Sequence, residues 1–125
     1  MDKKRIKRIE SELKKEISAL INTELKNPRI APITSITEVD LTDDLQSAKI
    51  YVSVFGKEYE KKETIEALQH SIGFIKRELG KRMQLRHIPE LKIILDEHIE
   101  EAMRMEKLIS DVIKKDEEAR NEREE

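Results

Sequence analysis

Apolar residues recur every three or four positions along three parts of this chain and alternate with polar residues along three shorter parts. The first helical stripe consists of Ile6, Ile9, Leu13, Ile17, Leu20, Ile21 and Leu25. This spacing places the whole set on one face of a helix of about six turns. Asp2 is available as an N-cap, and the pair Asn27-Pro28 stops the helix. The pattern therefore predicts that the chain begins with one long amphipathic helix.

The alternating parts predict three strands. Residues 33–41 are rich in branched side chains, and residues 48–54 alternate strictly between apolar and polar positions. The polar segment 42–46 between them is short and turn-forming, so these two strands are expected to form an antiparallel hairpin. Residues 91–95 repeat the alternation after Pro89 and predict a third strand.

A second helical stripe, interrupted by a glycine, lies between the second and third strands. Its apolar members are Ile65, Leu68, Ile72, Ile75 and Leu79, and Phe74 is expected to lie in the core. A glycine inside a helix costs about 1 kcal/mol relative to alanine. Gly73 therefore indicates either a bend between two helices or a position where another backbone comes close. Tight packing against the sheet and direct contact with a partner are both open for this glycine.

The predicted order is helix, strand, strand, helix, bend, helix, strand. Because two helices link the second and third strands, the third strand can join the hairpin with all helices on one face. This α+β arrangement with a three-stranded sheet resembles the bacterial-type (type II) KH domain, although this chain has no Gly-x-x-Gly loop. We expect a KH-like RNA-binding domain over 1–95, a C-terminal helix over 96–113 packed on or beside it, and an acidic disordered tail over 114–125.

The charges are divided unevenly along the chain. The formal net charge of −2 consists of −6 over residues 96–125 and therefore +4 over residues 1–95. A basic body with an acidic extension is expected of a protein that binds nucleic acid. A domain whose charges only keep it in solution would show the same division, so charge alone leaves both interpretations open.

Two groups of basic residues are candidates for phosphate contact. The first group lies at the start of the first helix and consists of Lys3, Lys4, Arg5, Lys7 and Arg8. Cations at this end oppose the helix dipole, so they do not stabilise the helix itself. The second group follows the glycine break and is Lys76, Arg77, Lys81, Arg82 and Arg86. The sequence hypothesis is that the bent helix pair turns these cations outward toward a polyanion. It fails if all of them are paired with the chain's own carboxylates.

Several other classes of protein find little support. The chain has no cysteine and only three scattered histidines, so no metal site or cofactor is expected. Three glycines are too few for a P-loop or a dinucleotide fingerprint, and no apolar stretch suits a signal peptide or membrane span. An aromatic content of 3% argues against recognition by base stacking. We do not expect an enzyme.

Several segments resemble the ribosome-binding factor A family, in collinear order from about Arg5 to Ile113. They are the corner 26–29, the central strand 48–54, the bend 71–73, and the segments 73–79, 85–91 and 95–99. The sequence departs from the family pattern at two positions, with Ser71 in place of alanine and Asn27 in place of aspartate. Serine is small enough for a bend, and asparagine can still form a turn but carries no charge.

The resemblance implies a cytoplasmic, monomeric, non-enzymatic assembly factor. Such a factor binds the immature small ribosomal subunit and its rRNA and assists late rRNA maturation and processing, including in the cold; an assembly GTPase is a further partner to consider. The RNA contacts implied by position are Arg5, Arg8, Arg29, Ser71, Gly73, Lys76 and Arg77, and charge alone adds Lys81, Arg82 and Arg86. The alternative is a protein-binding adaptor that acts through its acidic C-terminal helix and tail.

Overall fold

The computed structural model of the chain describes residues 2–25 and 27–98, which form three helices and a three-stranded sheet. The elements are α1 (Lys3–Thr23), β1 (Thr34–Leu41), β2 (Ser47–Val54), α2 (Glu58–His70), α3 (Ile72–Arg82) and β3 (Glu90–Leu95). Each element lies over a segment whose apolar spacing predicts it. The predicted C-terminal helix beyond His98, the acidic tail and Lys26 lie outside the described residues.

The sheet has the strand order β1-β2-β3. Strands β1 and β2 are antiparallel, with Leu41 opposite Ala48, whereas β2 and β3 are parallel, with Ser47 opposite Glu90. A parallel pair needs a long crossover, and α2 and α3 supply it. We call the end of the sheet that carries the turn 42–46 the hairpin end, and the other the far end.

All three helices cover one face of the sheet. Helix α1 packs on β1, α2 packs on β2 and β3, and α3 packs against α1. The side chains that point to this layer form one core, and those with 0% exposure are Leu13, Ile17, Leu20, Ile50, Val52, Leu68, Ile75 and Leu79. Phe74 is half-buried and packs against the core, in agreement with the sequence prediction.

Two contacts fix the direction of α1. The Asp2 carboxylate caps the helix by accepting a hydrogen bond from the Lys4 amide at 3.1 Å. Eight residues further on, the Glu10 carboxylate accepts one from the Leu41 amide, the last residue of β1, at 2.8 Å. Because Leu41 lies at the hairpin end, the first two turns of α1 lie there as well, and the helix runs toward the far end.

The corner between α1 and β1 is held by side-chain hydrogen bonds. The Asn27 side-chain oxygen accepts from the Arg29 amide at 3.0 Å, so asparagine forms the turn expected of it. The fully buried Thr64 hydroxyl of α2 accepts from the Ala31 amide at 2.9 Å and lies 3.3 Å from the Arg29 carbonyl. The corner is therefore attached to α2 and lies toward the far end.

A bulge in β1 connects this strand to the residue that follows β3. The pairing register shifts at Thr37, and its hydroxyl donates a hydrogen bond to the Asp96 carboxylate at 2.6 Å. The other Asp96 oxygen accepts from the His98 amide at 3.0 Å. The Thr37 hydroxyl, then the His98 amide and ring, stabilise the charged form and lower the pKa of Asp96 from 3.8 to about 2.

Because its pKa is lowered, Asp96 should make the free energy of unfolding depend on pH in acidic solution. Because its folded pKa is depressed, its stabilising contribution is present above about pH 4 and is lost as the pH falls through about 2. The variant Asp96→Asn should lose less unfolding free energy than the wild type between these two pH values. Urea unfolding at pH 6, 4, 3 and 2 measures this difference, and parallel losses in the two proteins would contradict it.

Candidate nucleic-acid interface

The bend between α2 and α3 falls at Ser71, not at the glycine. Ser71 has φ −89° and ψ 1°, outside the helical conformation, and terminates α2 while preceding α3. Its hydroxyl donates a hydrogen bond to the Ala67 carbonyl at 2.8 Å. The bend predicted for this stretch is thus present, and the small serine side chain folds back onto the preceding helix.

Gly73 is the second residue of α3 and is exposed. A Cβ placed there would meet no heavy atom within 4 Å, so tight packing against the sheet, one of the two interpretations open for this glycine, is wrong. The physical reason is the helix phase: Ile72 and Ile75 turn toward the core, which leaves position 73 on the outside. The backbone at Gly73 is therefore accessible to a partner.

The two cations that follow the bend differ in their surroundings. The Lys76 ammonium lies 2.7 Å from the Glu90 carboxylate, and this hydrogen bond and charge lower the pKa of Glu90. Because Glu90 is the first residue of β3, the contact places the first half of α3, around Lys76, near the hairpin end. Arg77 is exposed, and within residues 2–25 and 27–98 no carboxylate forms an ion pair with it.

The remaining cations of this group are also divided. Lys81 pairs with Glu78 at 3.3 Å on the same helix face. Arg82 pairs with two carboxylates of the α1 region, Glu16 at 3.6 Å and Glu24, so it links α3 to α1. Arg86 is exposed and has no carboxylate partner in the described part of the chain. Three of the five cations after the bend are therefore paired internally, whereas Arg77 and Arg86 are exposed and form no ion pair within residues 2–25 and 27–98.

A shallow groove between α1 and the end of α3 brings predicted residues from both groups together. It is lined by Arg8, Ser11, Glu12, Lys15, Arg82 and Gln84. Sequence reasoning missed Lys15, although its position carried a signal: Arg5, Arg8 and Lys15 are spaced by three and seven residues and so share one helix face. All three are exposed.

Arg29 lies apart from the other predicted contacts. It is exposed in the turn that follows α1, next to Thr64 of α2 and toward the far end of the sheet. Arg5, Arg8 and the bend lie toward the hairpin end. The RNA contacts predicted from the sequence therefore lie at two ends of the molecule. No local sequence pattern indicates this division.

In the part of the chain that the structure describes, no group of three or more His, Cys, Asp or Glu side chains could hold a metal ion. The helices described are too short or too polar for any of them to cross a membrane.

The fold and this surface define a small α+β protein in which exposed cations without an ion pair among residues 2–25 and 27–98 line α1 and include Arg77, just after the bend. Comparison with known proteins agrees with this class. The family model of ribosome-binding factor A matches residues 5–109. Ribosome-binding factor A of Clostridium tetani is 49% identical over 121 residues, which cover 97% of this chain and 99% of that protein.

Structures of other proteins share this fold. A solution structure of a Thermotoga maritima protein assigned to ribosome-binding factor A has a TM-score of 0.64 at 31% identity, covering 70% of this chain and 82% of that one. A Thermus thermophilus ribosome-binding factor A, a homology model fitted into a cryo-EM map of a complex with the 30S subunit, has a TM-score of 0.61 at 22% identity, covering 72% and 93%. The chain belongs to the ribosome-binding factor A family.

Proposed function

We propose that this protein binds the immature small ribosomal subunit and its rRNA and assists late maturation and processing of that rRNA, including during cold adaptation. The observation that supports this most is that exposed arginines with no ion pair in the described residues lie toward the same end of the sheet. Arg5 and Arg8 on α1 and Arg77 on α3 all lie toward the hairpin end and are exposed. A surface of this kind suits the phosphate backbone of RNA.

The internally paired cations are compatible with this role. Exposed ion pairs contribute only about 0–1 kcal/mol to stability. Glu90 is exposed over 71% of its side chain, so a phosphate oxygen can replace it beside Lys76 at little cost. Arg82 is different, since two carboxylates hold it against α1. We propose Lys76 and Lys81 as secondary contacts and Arg82 as a residue that positions α3.

We further propose that the fold acts as a KH-like domain over residues 1–95. The bend at Ser71 and the open backbone at Gly73 take the place of the Gly-x-x-Gly loop and bring a phosphate close to the start of α3, where backbone amides are free. The Thermus thermophilus relative that was fitted into a map with the 30S subunit supports the partner. We also propose that the protein is cytoplasmic, monomeric and non-enzymatic, and that an assembly GTPase is a further partner.

The alternative function, a protein-binding adaptor, depends on residues 96–125. We propose that 96–113 form a helix on or beside the domain and that 114–125 form an acidic disordered tail. Asp96 supports the start of this helix, because its carboxylate accepts the His98 amide as an N-cap does. An adaptor would keep its partner when the arginines are changed and lose it when residues 96–125 are removed.

Co-sedimentation with small subunits tests the proposed function. The full chain should pellet with immature small subunits and much less with mature 30S subunits at the same concentration. It should leave the pellet as salt is raised, because each phosphate contact releases counterions. Equal pelleting with both kinds of particle, or pelleting that ignores salt, would contradict the proposal.

A further inference from the structure

The far end of the sheet carries a small exposed apolar patch. Ile33, Phe55 and Tyr59 are exposed over 65%, 73% and 61% of their surface, and they are the only large hydrophobic side chains so exposed among residues 2–25 and 27–98. Two of the four aromatic residues of the chain belong to this patch. Leaving such side chains in water is unfavourable for folding, and grouped exposed apolar residues usually mark a binding surface.

The backbone holds these three residues at one place in the fold. The Phe55 amide donates a hydrogen bond to the Ile33 carbonyl at 3.0 Å, which extends the β1–β2 pairing by one step beyond Thr34 and Val54. Tyr59 follows in the first turn of α2. All three therefore lie where two strands end and a helix begins, so the patch is built on rigid elements.

The charges next to the patch favour an anionic partner. Arg29, Lys57 and Lys62 are exposed, and none has a carboxylate partner in the described part of the chain. Two of the neighbouring acids have local partners, since Glu60 accepts the Lys57 amide at 3.1 Å and Glu58 lies 3.4 Å from the Lys61 ammonium, whereas Glu63 is exposed. Acids in the first turn of α2 also stabilise that helix end. With Lys61 included, the four cations exceed the three acids by one, so the surroundings of the aromatic rings carry a small positive excess.

We propose that this patch stacks an unpaired nucleobase of RNA on Phe55, with Tyr59 as a second ring and Arg29 on the adjoining phosphate. The proposal rests on the proposed RNA-binding function and adds a second contact at the end of the molecule away from the bend. A nucleobase needs only one aromatic face. A stable protein interface needs about 800 Å² from each partner, more than three side chains supply. The low number of aromatic residues in the chain does not exclude stacking, because one exposed ring is enough to stack one base.

Substitutions at Phe55 separate stacking from other kinds of contact. The full-length variants Phe55→Ala, Phe55→Leu and Phe55→Trp are titrated against immature small subunits at several salt concentrations. Because Phe55 is exposed, all three should keep the wild-type far-UV circular dichroism and melting temperature. Phe55→Ala and Phe55→Leu should weaken binding by about 5- to 150-fold, the range that one stacked base supplies. Phe55→Trp should bind as well as the wild type, and the salt slope should not change in any variant, since no charge is altered.

Three other results would overturn the inference. Wild-type affinity of Phe55→Ala would show that the ring touches nothing in the complex. Wild-type affinity of Phe55→Leu together with weak binding of Phe55→Ala would indicate apolar docking on a ribosomal protein. An altered salt slope in either variant would indicate a disturbed phosphate surface. If Phe55 variants bind normally while arginine variants at the hairpin end do not, only this inference fails; if the wild type does not bind at all, the proposed function fails with it.

Discussion

Replacing Arg8 and Arg77 together with glutamate should weaken binding to immature small subunits by roughly 100-fold. Both residues are exposed and without a carboxylate partner in the described residues, one on α1 and the other just after the bend. A hydrogen bond to a charged group is worth about 1.5 kcal/mol or more, and 1.4 kcal/mol corresponds to tenfold in affinity. Fluorescence anisotropy or filter binding at fixed salt measures the loss. Lys76 is left unchanged because glutamate there would face Glu90 and disturb β3.

A matched control comes from the other face of the sheet. Lys49 and Lys92 are exposed, lie side by side on β2 and β3, and alternate with buried residues that face the helices. Changing both to glutamate alters the net charge as much as the arginine pair does. The control should bind within about threefold of the wild type, since it lies away from the proposed surface. An equal loss in both double variants would mean that only net charge matters and that the surface is wrongly placed.

Leu13→Ala should have the largest effect on stability. Leu13 is fully buried on the inner face of α1, between the helix and the sheet. Removing such a side chain typically costs 2–5 kcal/mol, through lost burial and the cavity that remains. Since a domain of this size is stable by about 5–15 kcal/mol, the midpoint of urea unfolding should fall markedly.

Ile33→Ala is the control for this stability prediction. It removes a similar number of carbon atoms from a side chain that is 65% exposed. Substitutions at such positions usually change the unfolding free energy by less than about 0.5 kcal/mol. A comparable loss in both variants would show that Ile33 is covered in the folded protein, and a small loss in Leu13→Ala would show that α1 does not carry the core as described.

The regular elements could be predicted because their signals are local. Helix α1 shows its buried face in the spacing of its apolar residues and its start in Asp2. Strand β2 shows its two faces by strict alternation, and the turn 42–46 forces β1 to pair with it. Each of these depends on residues within a few positions of one another, which is the range that sequence patterns describe.

The charged contacts could not be predicted because their partners are distant in sequence. Lys76 finds Glu90 fourteen positions away, and Arg82 finds Glu24 fifty-eight positions away, only after the helices pack. The same limit applies to Arg29, which the fold carries to the far end of the sheet. The family resemblance implied Arg29 and Lys76 as RNA contacts and charge alone added Arg82, and neither criterion shows which cations find an internal partner.

The bend illustrates a more limited failure. Glycine carried the sequence signal, whereas the backbone leaves the helical conformation at Ser71. Serine competes for local hydrogen bonds, and here its hydroxyl bonds back to Ala67, which also suits a helix end. Predicting a bend in this region was therefore sound, while its exact residue depended on a side-chain contact.

The salt dependence of binding to immature small subunits tests the central claim most directly. If cations on α1 and beside the bend hold the RNA backbone through five to eight phosphates, the logarithm of affinity against the logarithm of salt should fall with a slope of about −4 to −7. The slope should become shallower by about 1.5 in the Arg8→Glu and Arg77→Glu double variant, which lacks two of these contacts. A slope near zero, or an unchanged slope in the double variant, would contradict the account.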